Sequence, residues 1–101
     1  MRIEDASRDG EVIHVDGVFD GLTARRVEAL LGRAAEGRSI DLDLTQVRDF
    51  HDFGVAVLAQ ALTRSRARVA VRGLRLHQLR LLRYFGVATG PLDRVSVSDA
   101  A

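Results

Sequence analysis

Hydrophobic and polar residues alternate in several short stretches of the chain, and a period of two is typical of strands that bury one face. The strands predicted in this way cover residues 2–7, 11–16, 39–44, 68–72 and 94–98. The first two are separated by Arg8-Asp9-Gly10, whose residue types favour a turn. Such a short connection predicts that these two strands pair in antiparallel fashion.

Between the later strands, apolar residues recur with the period of a helix, and these stretches predict three helices. They cover about residues 22–34, 52 to 64 or 65, and 74–85. Either Asp20 or Thr23 can cap the first helix at its start. Gly37 is placed to end the first helix, and Gly86 or Gly90 ends the third before Pro91.

The predicted order, β-β-α-β-α-β-α-β, indicates an α/β fold with a mixed sheet of four to five strands. Connections that contain a helix favour right-handed parallel crossovers. Because the strands alternate, we expect the helices mainly on one face of the sheet. The other face is expected to carry charged residues such as Asp41, Asp43, Arg68 and Arg72. With 101 residues, the chain has room for one core, so we predict a single domain over residues 1–101.

Composition narrows the classes of function. The chain has no cysteine, which excludes disulfides and thiolate chemistry. No apolar run is long enough to cross a bilayer, so we expect a cytoplasmic protein without direct membrane insertion. Residues 1–52 hold 12 acids and 7 arginines (net −5), and residues 53–101 hold 2 acids and 8 arginines (net +6). We interpret this asymmetry as neutralisation within one sheet rather than as nucleic-acid binding.

The most informative stretch runs from Asp43 to Leu58. It predicts the end of a strand, a short loop, and then a helix that begins at Asp52. Between Phe53 and Leu62 this helix has one polar residue, Gln60, so protein must cover most of its surface. A carboxylate at its start is favoured by the unpaired backbone N–H groups there.

The chain resembles the STAS domains, the fold of bacterial anti-sigma factor antagonists. The resemblance rests on the order and spacing of five segments along nearly the whole chain: Val15-Asp-Gly-Val-Phe-Asp20, Leu42-Asp-Leu-Thr-Gln-Val47, Phe50-His-Asp-Phe-Gly-Val55, Val69-Ala-Val-Arg-Gly-Leu74 and Tyr84-Phe-Gly-Val87. It implies a STAS-like single domain that binds a partner protein and has no enzymatic activity, cofactor or metal. The partner-binding residues that it implies are Asp20, His51, Asp52, Phe53, Gly54 and Val55.

In this family an anti-sigma kinase phosphorylates a serine at the helix start, and the phosphate prevents binding to the anti-sigma factor. In this chain Asp52 stands on the phosphoacceptor serine, with His51 before it and Phe53 after it. Two interpretations of Asp52 follow, and they are compatible: it caps the helix, which we favour, or it is a permanent, partial substitute for phosphoserine.

Other candidate residues also have two interpretations. Phe53 either lies in the core or is partly buried, which we slightly favour, or it stays exposed and anchors a partner. Asp20 either caps the first helix or shapes the recognition surface. We interpret His51 as a surface or loop-packing residue. His14 and Asp16 share a strand face, but two ligands are poor evidence for a metal site, and His77 has no obvious partner in the sequence.

Enzymatic function is not indicated, because the chain has no glycine-rich phosphate loop, nucleophile elbow or cluster of histidines and carboxylates. The resemblance therefore implies a regulatory module whose partner is an anti-sigma factor or a serine-kinase-like regulatory protein. The alternative is a cytoplasmic accessory subunit of a lipid-type ABC transporter. A hydroxyl at the helix start would favour this alternative and is missing here. A homodimer through the exposed sheet face or the central helix stays open.

Overall fold

The computed structural model describes residues 1–7, 10–33, 37–87 and 95–98. The elements follow the predicted order: β1 Arg2–Ser7, β2 Gly10–Phe19, α1 Gly21–Arg33, β3 Ser39–Phe50, α2 Asp52–Arg64, β4 Arg68–Arg72, α3 Leu76–Tyr84 and β5 Val95–Ser98. Several predicted boundaries lie outside the described residues: the turn at Arg8-Asp9, the helix end at Ala34, the stop at Gly90-Pro91, and Arg94.

The five strands form one sheet in the order β1-β2-β3-β4-β5. The pair β1 and β2 is antiparallel, whereas β2, β3, β4 and β5 run parallel to their neighbours. Ile13, Leu42 and Val71 lie side by side across the three central strands. The α/β fold with a mixed sheet is therefore confirmed.

The core lies between the helices and one face of this sheet. The apolar residues of the alternating strands are buried there, including Ile13, Leu42 and Val71, each at most 1% exposed. The central helix contributes seven buried residues: Gly54, Val55, Val57, Leu58, Ala59, Ala61 and Leu62. Gln60, its one polar residue between 53 and 62, is exposed. The alternation thus predicted correctly which face is covered.

The opposite face of the sheet carries the charged residues, as predicted. Arg68 and Arg72 are exposed there. The Asp43 side chain is 17% exposed and accepts hydrogen bonds from the Thr45 hydroxyl (2.6 Å) and backbone N–H (3.0 Å). Its Oδ2 also lies 3.1 Å from Nδ1 of His14. Burial alone would raise the pKa of Asp43, but the hydrogen bonds from Thr45 and His14 outweigh it and hold that pKa below its ordinary value.

Two strands are longer than predicted. β2 continues through Gly17, which adopts a φ of +70°, to Phe19, and β3 continues to Phe50 instead of ending at Leu44. The pairing of β2 with β3 shifts register twice, between His14 and Asp16 and again after Gly17. A bulge interrupts the alternation of side chains while backbone pairing goes on, so the side-chain pattern ends before the strand does. The loop predicted before the central helix is therefore mostly strand.

None of the helices in the described part of the chain combines the length and the apolar character needed to cross a bilayer.

Candidate docking site at the start of the central helix

The three helices all begin at one edge of the sheet. Because β2, β3 and β4 are parallel and each leads into a helix, the helix starts lie beyond the carboxyl ends of these strands. This is the edge at which open α/β sheets bind ligands. Only His51 separates β3 from α2, and its backbone N–H donates to the carbonyl of Phe19 over 2.9 Å. The start of α2 is thereby fixed to the end of β2.

Gly54 brings the first turn of α2 against the corner between β2 and α1. A Cβ at this position would lie 2.8 Å from the carbonyl carbon and oxygen of Asp20, and 2.8 Å from the carbonyl oxygen of Phe19. Real Cβ atoms do not come this close to backbone atoms. A glycine is therefore required by close approach, and it sets the distance between the Asp20 corner and the segment His51–Gly54.

Asp52 is the first residue of α2, not its cap. The capping position belongs to His51, which makes no side-chain hydrogen bond to the helix. The interpretation of Asp52 as an N-cap is therefore wrong, because the helix begins one residue earlier than that role requires. The Asp52 side chain is 69% exposed, and its Oδ1 lies 3.2 Å from Nε2 of His77. The carboxylate still benefits from the positive end of the helix.

Asp20 caps α1, which confirms one of its two interpretations. Its Oδ1 accepts a hydrogen bond from the backbone N–H of Thr23 over 2.9 Å. This bond, helped by the Thr23 hydroxyl, lowers the pKa of Asp20 below its ordinary value, and His51 contributes a smaller lowering. Asp20 is therefore charged at neutral pH and stands beside the first turn of α2.

Phe53 does not lie in the core, but its ring is partly covered at Gly21, and partial burial belongs to the favoured interpretation. Its side chain is 63% exposed, and its ring lies over Gly21, where a Cβ would come within 2.6 Å of Cδ2. The helix turn points residue 53 outward, while Val55 is 0% exposed and belongs to the core. Val55 is therefore wrong as a contact residue for a partner.

Two more exposed apolar residues lie at the same edge, and sequence reasoning missed them. Leu22 in the first turn of α1 is 65% exposed, and Leu76 at the start of α3 is 56% exposed. Both belong to the helical patterns that predict α1 and α3, and the apolar residues of such a pattern are expected on the buried face. The signal that identifies them is their position in the first turn, where a side chain extends beyond the sheet that the rest of the helix covers.

The histidines at this edge each lie next to a carboxylate. His51, which is 53% exposed, places Nε2 3.4 Å from Oδ2 of Asp49. That agrees with its interpretation as a surface residue. His77 contacts Asp52, although its sequence position suggested no partner. Contact between residues 25 positions apart depends on how α3 packs beside α2, which no local pattern encodes.

His14 and Asp16 lie next to different partners. His14 is instead next to Asp43, and Asp16 lies 3.9 Å from the amino group of Met1. Within the described ranges, no group of three or more His, Cys, Asp or Glu side chains is arranged to hold a metal ion.

The fold is similar to that of several solved structures. The anti-sigma factor antagonist SpoIIAA, in its unphosphorylated form, matches with a TM-score of 0.63 and 16% identity over 99% of this chain and 88% of that chain. The STAS domain of a SulP transporter from Vibrio cholerae matches with a TM-score of 0.55 and 20% identity over 79% of this chain and 66% of that chain. A protein named Mglu matches with a TM-score of 0.55 and 21% identity over 99% of this chain and 19% of that chain. At these identities the likeness concerns the fold alone.

A comparison with curated proteins found no match. The family model described as "Mlab, STAS domain" matches residues 4–95, which is most of the chain. This match agrees with the order of elements, the mixed sheet and the resemblance of the five sequence segments. The chain belongs to the STAS domain family.

Proposed function

We propose that this chain is a non-enzymatic regulatory module of the cytoplasm that docks onto a partner protein as an anti-sigma factor antagonist does. Its docking surface is the edge formed by Asp20, His51, Asp52, Phe53 and Gly54 in a single unit over residues 1–101. The observation that carries the proposal is the first turn of α2, where a carboxylate and an aromatic ring, 69% and 63% exposed, stand side by side.

This combination suits the centre of a protein interface. An exposed aromatic ring next to a charged group supplies apolar contact area and a specific ionic contact at one place. The backbone below is held by the close contact of Gly54 with Asp20 and Phe19, so the two side chains project from a fixed position. Docking onto a rigid surface costs less conformational entropy than docking onto a loop.

Asp52 makes the charge at this surface permanent. It does not occupy the capping position of its helix, and its carboxylate lies 3.2 Å from His77. It carries one negative charge, compared with the 1.5 to 2 of a phosphate at neutral pH, and it has fewer acceptor oxygens. In our proposal this smaller charge does not prevent docking as a phosphate does in the family. Docking is then governed by the availability of the partner and not by a kinase acting at position 52. The partner class that fits is an anti-sigma factor or a serine-kinase-like regulatory protein.

The test measures the affinity of a partner isolated with the chain for wild type, Asp52→Ser and Phe53→Ala. Asp16→Ser is the matched control, because Asp16 is also exposed, at 81%, and its carboxylate lies near the amino group of Met1, which is not part of the docking surface. We expect both changes in α2 to alter the dissociation constant at least tenfold, and the control to leave it within twofold. Unchanged affinity in Asp52→Ser and Phe53→Ala would refute the docking surface.

A second function is an accessory subunit of a membrane transporter. It is supported by the similar fold of the SulP transporter STAS domain. The same surface would then contact an ATPase subunit. Pull-down from cells separates the two functions: recovery of a transporter ATPase supports the accessory subunit, and recovery of a sigma-factor regulator or a kinase-like ATPase supports the antagonist.

A further inference from the structure

The side chains of His77 and Asp52 are in contact next to the docking surface. Nε2 of His77 lies 3.2 Å from Oδ1 of Asp52, and the contact joins the first turn of α3 to the first turn of α2. We propose that His77 is an internal hydrogen-bond partner of Asp52, and that the docking protein displaces it with an arginine or lysine side chain. This inference rests on the proposed function, since it names the chemical group with which the partner binds Asp52.

The contact between the two side chains costs little to break. Both side chains are well exposed, 64% for His77 and 69% for Asp52, and even ion pairs exposed in this way contribute little to stability. The carboxylate of Asp52 stays favourable without His77, because it is a negative group at the positive end of α2.

A cation from the partner protein can bind the Asp52 carboxylate more strongly than His77 does. An arginine is always charged, and its planar guanidinium can donate two parallel hydrogen bonds to one carboxylate. A histidine offers a single N–H from Nε2. Exchange of His77 for an arginine therefore replaces one hydrogen bond by two.

The surroundings of the pair define the shape of such a partner. Phe53 follows Asp52 in the chain and its ring lies over Gly21 at the start of α1, whereas Leu76 precedes His77; both are more than half exposed. The complementary surface is therefore a basic residue that has apolar side chains near it.

The test is a double-mutant cycle between His77→Ala and Asp52→Asn, measured as dissociation constants of the partner that the pull-down recovers. We expect the His77→Ala variant to bind the partner about two- to fivefold more tightly, because the partner no longer has to displace the His77 ring from Asp52. The same change in an Asp52→Asn background should have no effect. Arg80→Ala, an exposed change further along α3, is the control and should leave affinity unchanged.

Nuclear magnetic resonance gives a second readout in the wild-type protein at one fixed pH. The reference is the position of the His77 ring signals in the Asp52→Asn variant without partner. When partner is added to the wild type, its His77 ring signals should move toward that position. The ring signals of His14, which is next to Asp43 on the open sheet face, should stay in place.

The outcomes distinguish this inference from the proposed function. If Asp52→Asn and Phe53→Ala leave affinity unchanged, the docking surface itself is wrong. If those variants weaken binding while His77→Ala weakens it too or has no effect, the docking surface stands and displacement of His77 is refuted. An equal gain from His77→Ala in both backgrounds also refutes displacement, because the effect then does not pass through Asp52.

Discussion

Replacement of Gly54 by alanine should destabilise the protein, although alanine is the better helix former. Gly54 lies inside α2, where the change from glycine to alanine alone favours the helix by about 1 kcal/mol. Against this gain, the new Cβ would lie 2.8 Å from three backbone atoms of Phe19 and Asp20. Atoms in good contact are about 3.5–4.0 Å apart, so α2 must move by roughly an ångström away from the β2–α1 corner.

The cost of that movement exceeds the gain in propensity. The obstructing atoms belong to the backbone, so no side-chain rotation relieves the contact. Insertion of a methyl group into a packed region costs about 1–3 kcal/mol, and a buried helix start has little freedom to adjust. A cost of about 1–3 kcal/mol less a gain of about 1 kcal/mol leaves a net loss of up to about 2 kcal/mol. For a chain of this size the melting temperature should then fall by up to roughly 15 °C.

Gly32→Ala is the matched control for this prediction. Gly32 lies in α1, has no positive φ, and a Cβ there would meet nothing within 4 Å. No steric cost should therefore offset the gain in helix propensity, although Gly32 lies near the helix end, where that gain is smaller. We expect a stabilisation of a few tenths of a kcal/mol up to about 1 kcal/mol. Thermal unfolding followed by circular dichroism compares the two variants with wild type. If Gly54→Ala melts at or above the wild-type temperature, the close packing of α2 on the Asp20 corner is wrong.

Three further predictions test the same description. Phe53→Ala should change the melting temperature by no more than about 2 °C, because the ring is 63% exposed, whereas Phe19→Ala, at 0% exposure, should cost about 3–5 kcal/mol in a urea titration. Asp20→Ala should lower the melting temperature and speed amide exchange in the first turn of α1, while Asp20→Asn keeps a capping oxygen and should behave like wild type. Asp43→Asn should be less stable than wild type at neutral pH. Because the pKa of Asp43 is lowered in the folded state, its carboxylate stabilises the fold above the unfolded pKa of about 3.9. This stabilisation is lost as the pH falls through the folded pKa. Equal losses of stability from Asp43→Asn at pH 7 and pH 2.5 would therefore contradict this assignment.

The fold could be predicted because the packing of the helices on the sheet depends on the spacing of apolar side chains, which can be seen in the sequence. Alternation in 39–44 and 68–72 identifies which residues face the helices, and the strands form where these patterns lie. The ends of β2 and β3 could not be found in the same way. Beyond Leu44 and Asp16 the two strands stay paired through bulges, and the hydrogen bonds between backbones carry no side-chain signature.

The candidate site was predicted in position but not in detail. The resemblance located Asp52 at the start of α2, and the structure agrees, yet the cap is His51, one residue before it. One residue decides whether a carboxylate binds backbone N–H groups or projects outward, and sequence patterns do not resolve a helix boundary that finely. The contact of His77 with Asp52 was missed because it depends on the placement of α3 beside α2.

Because most of α2 is buried, a partner can contact this helix at few places. Seven of its 13 residues are buried, and its exposed side chains are those of Asp52 and Phe53 at one end and of Gln60, Thr63 and Arg64 at the other. At a rise of about 1.5 Å per residue the two ends are roughly 12 Å apart, so a compact contact engages only one of them. Of the two ends, only the first turn places a charge next to a large apolar ring. Because Gly54 fixes that turn against the Asp20 corner, a substitution that shifts the backbone there should weaken docking even when Asp52 and Phe53 are both retained.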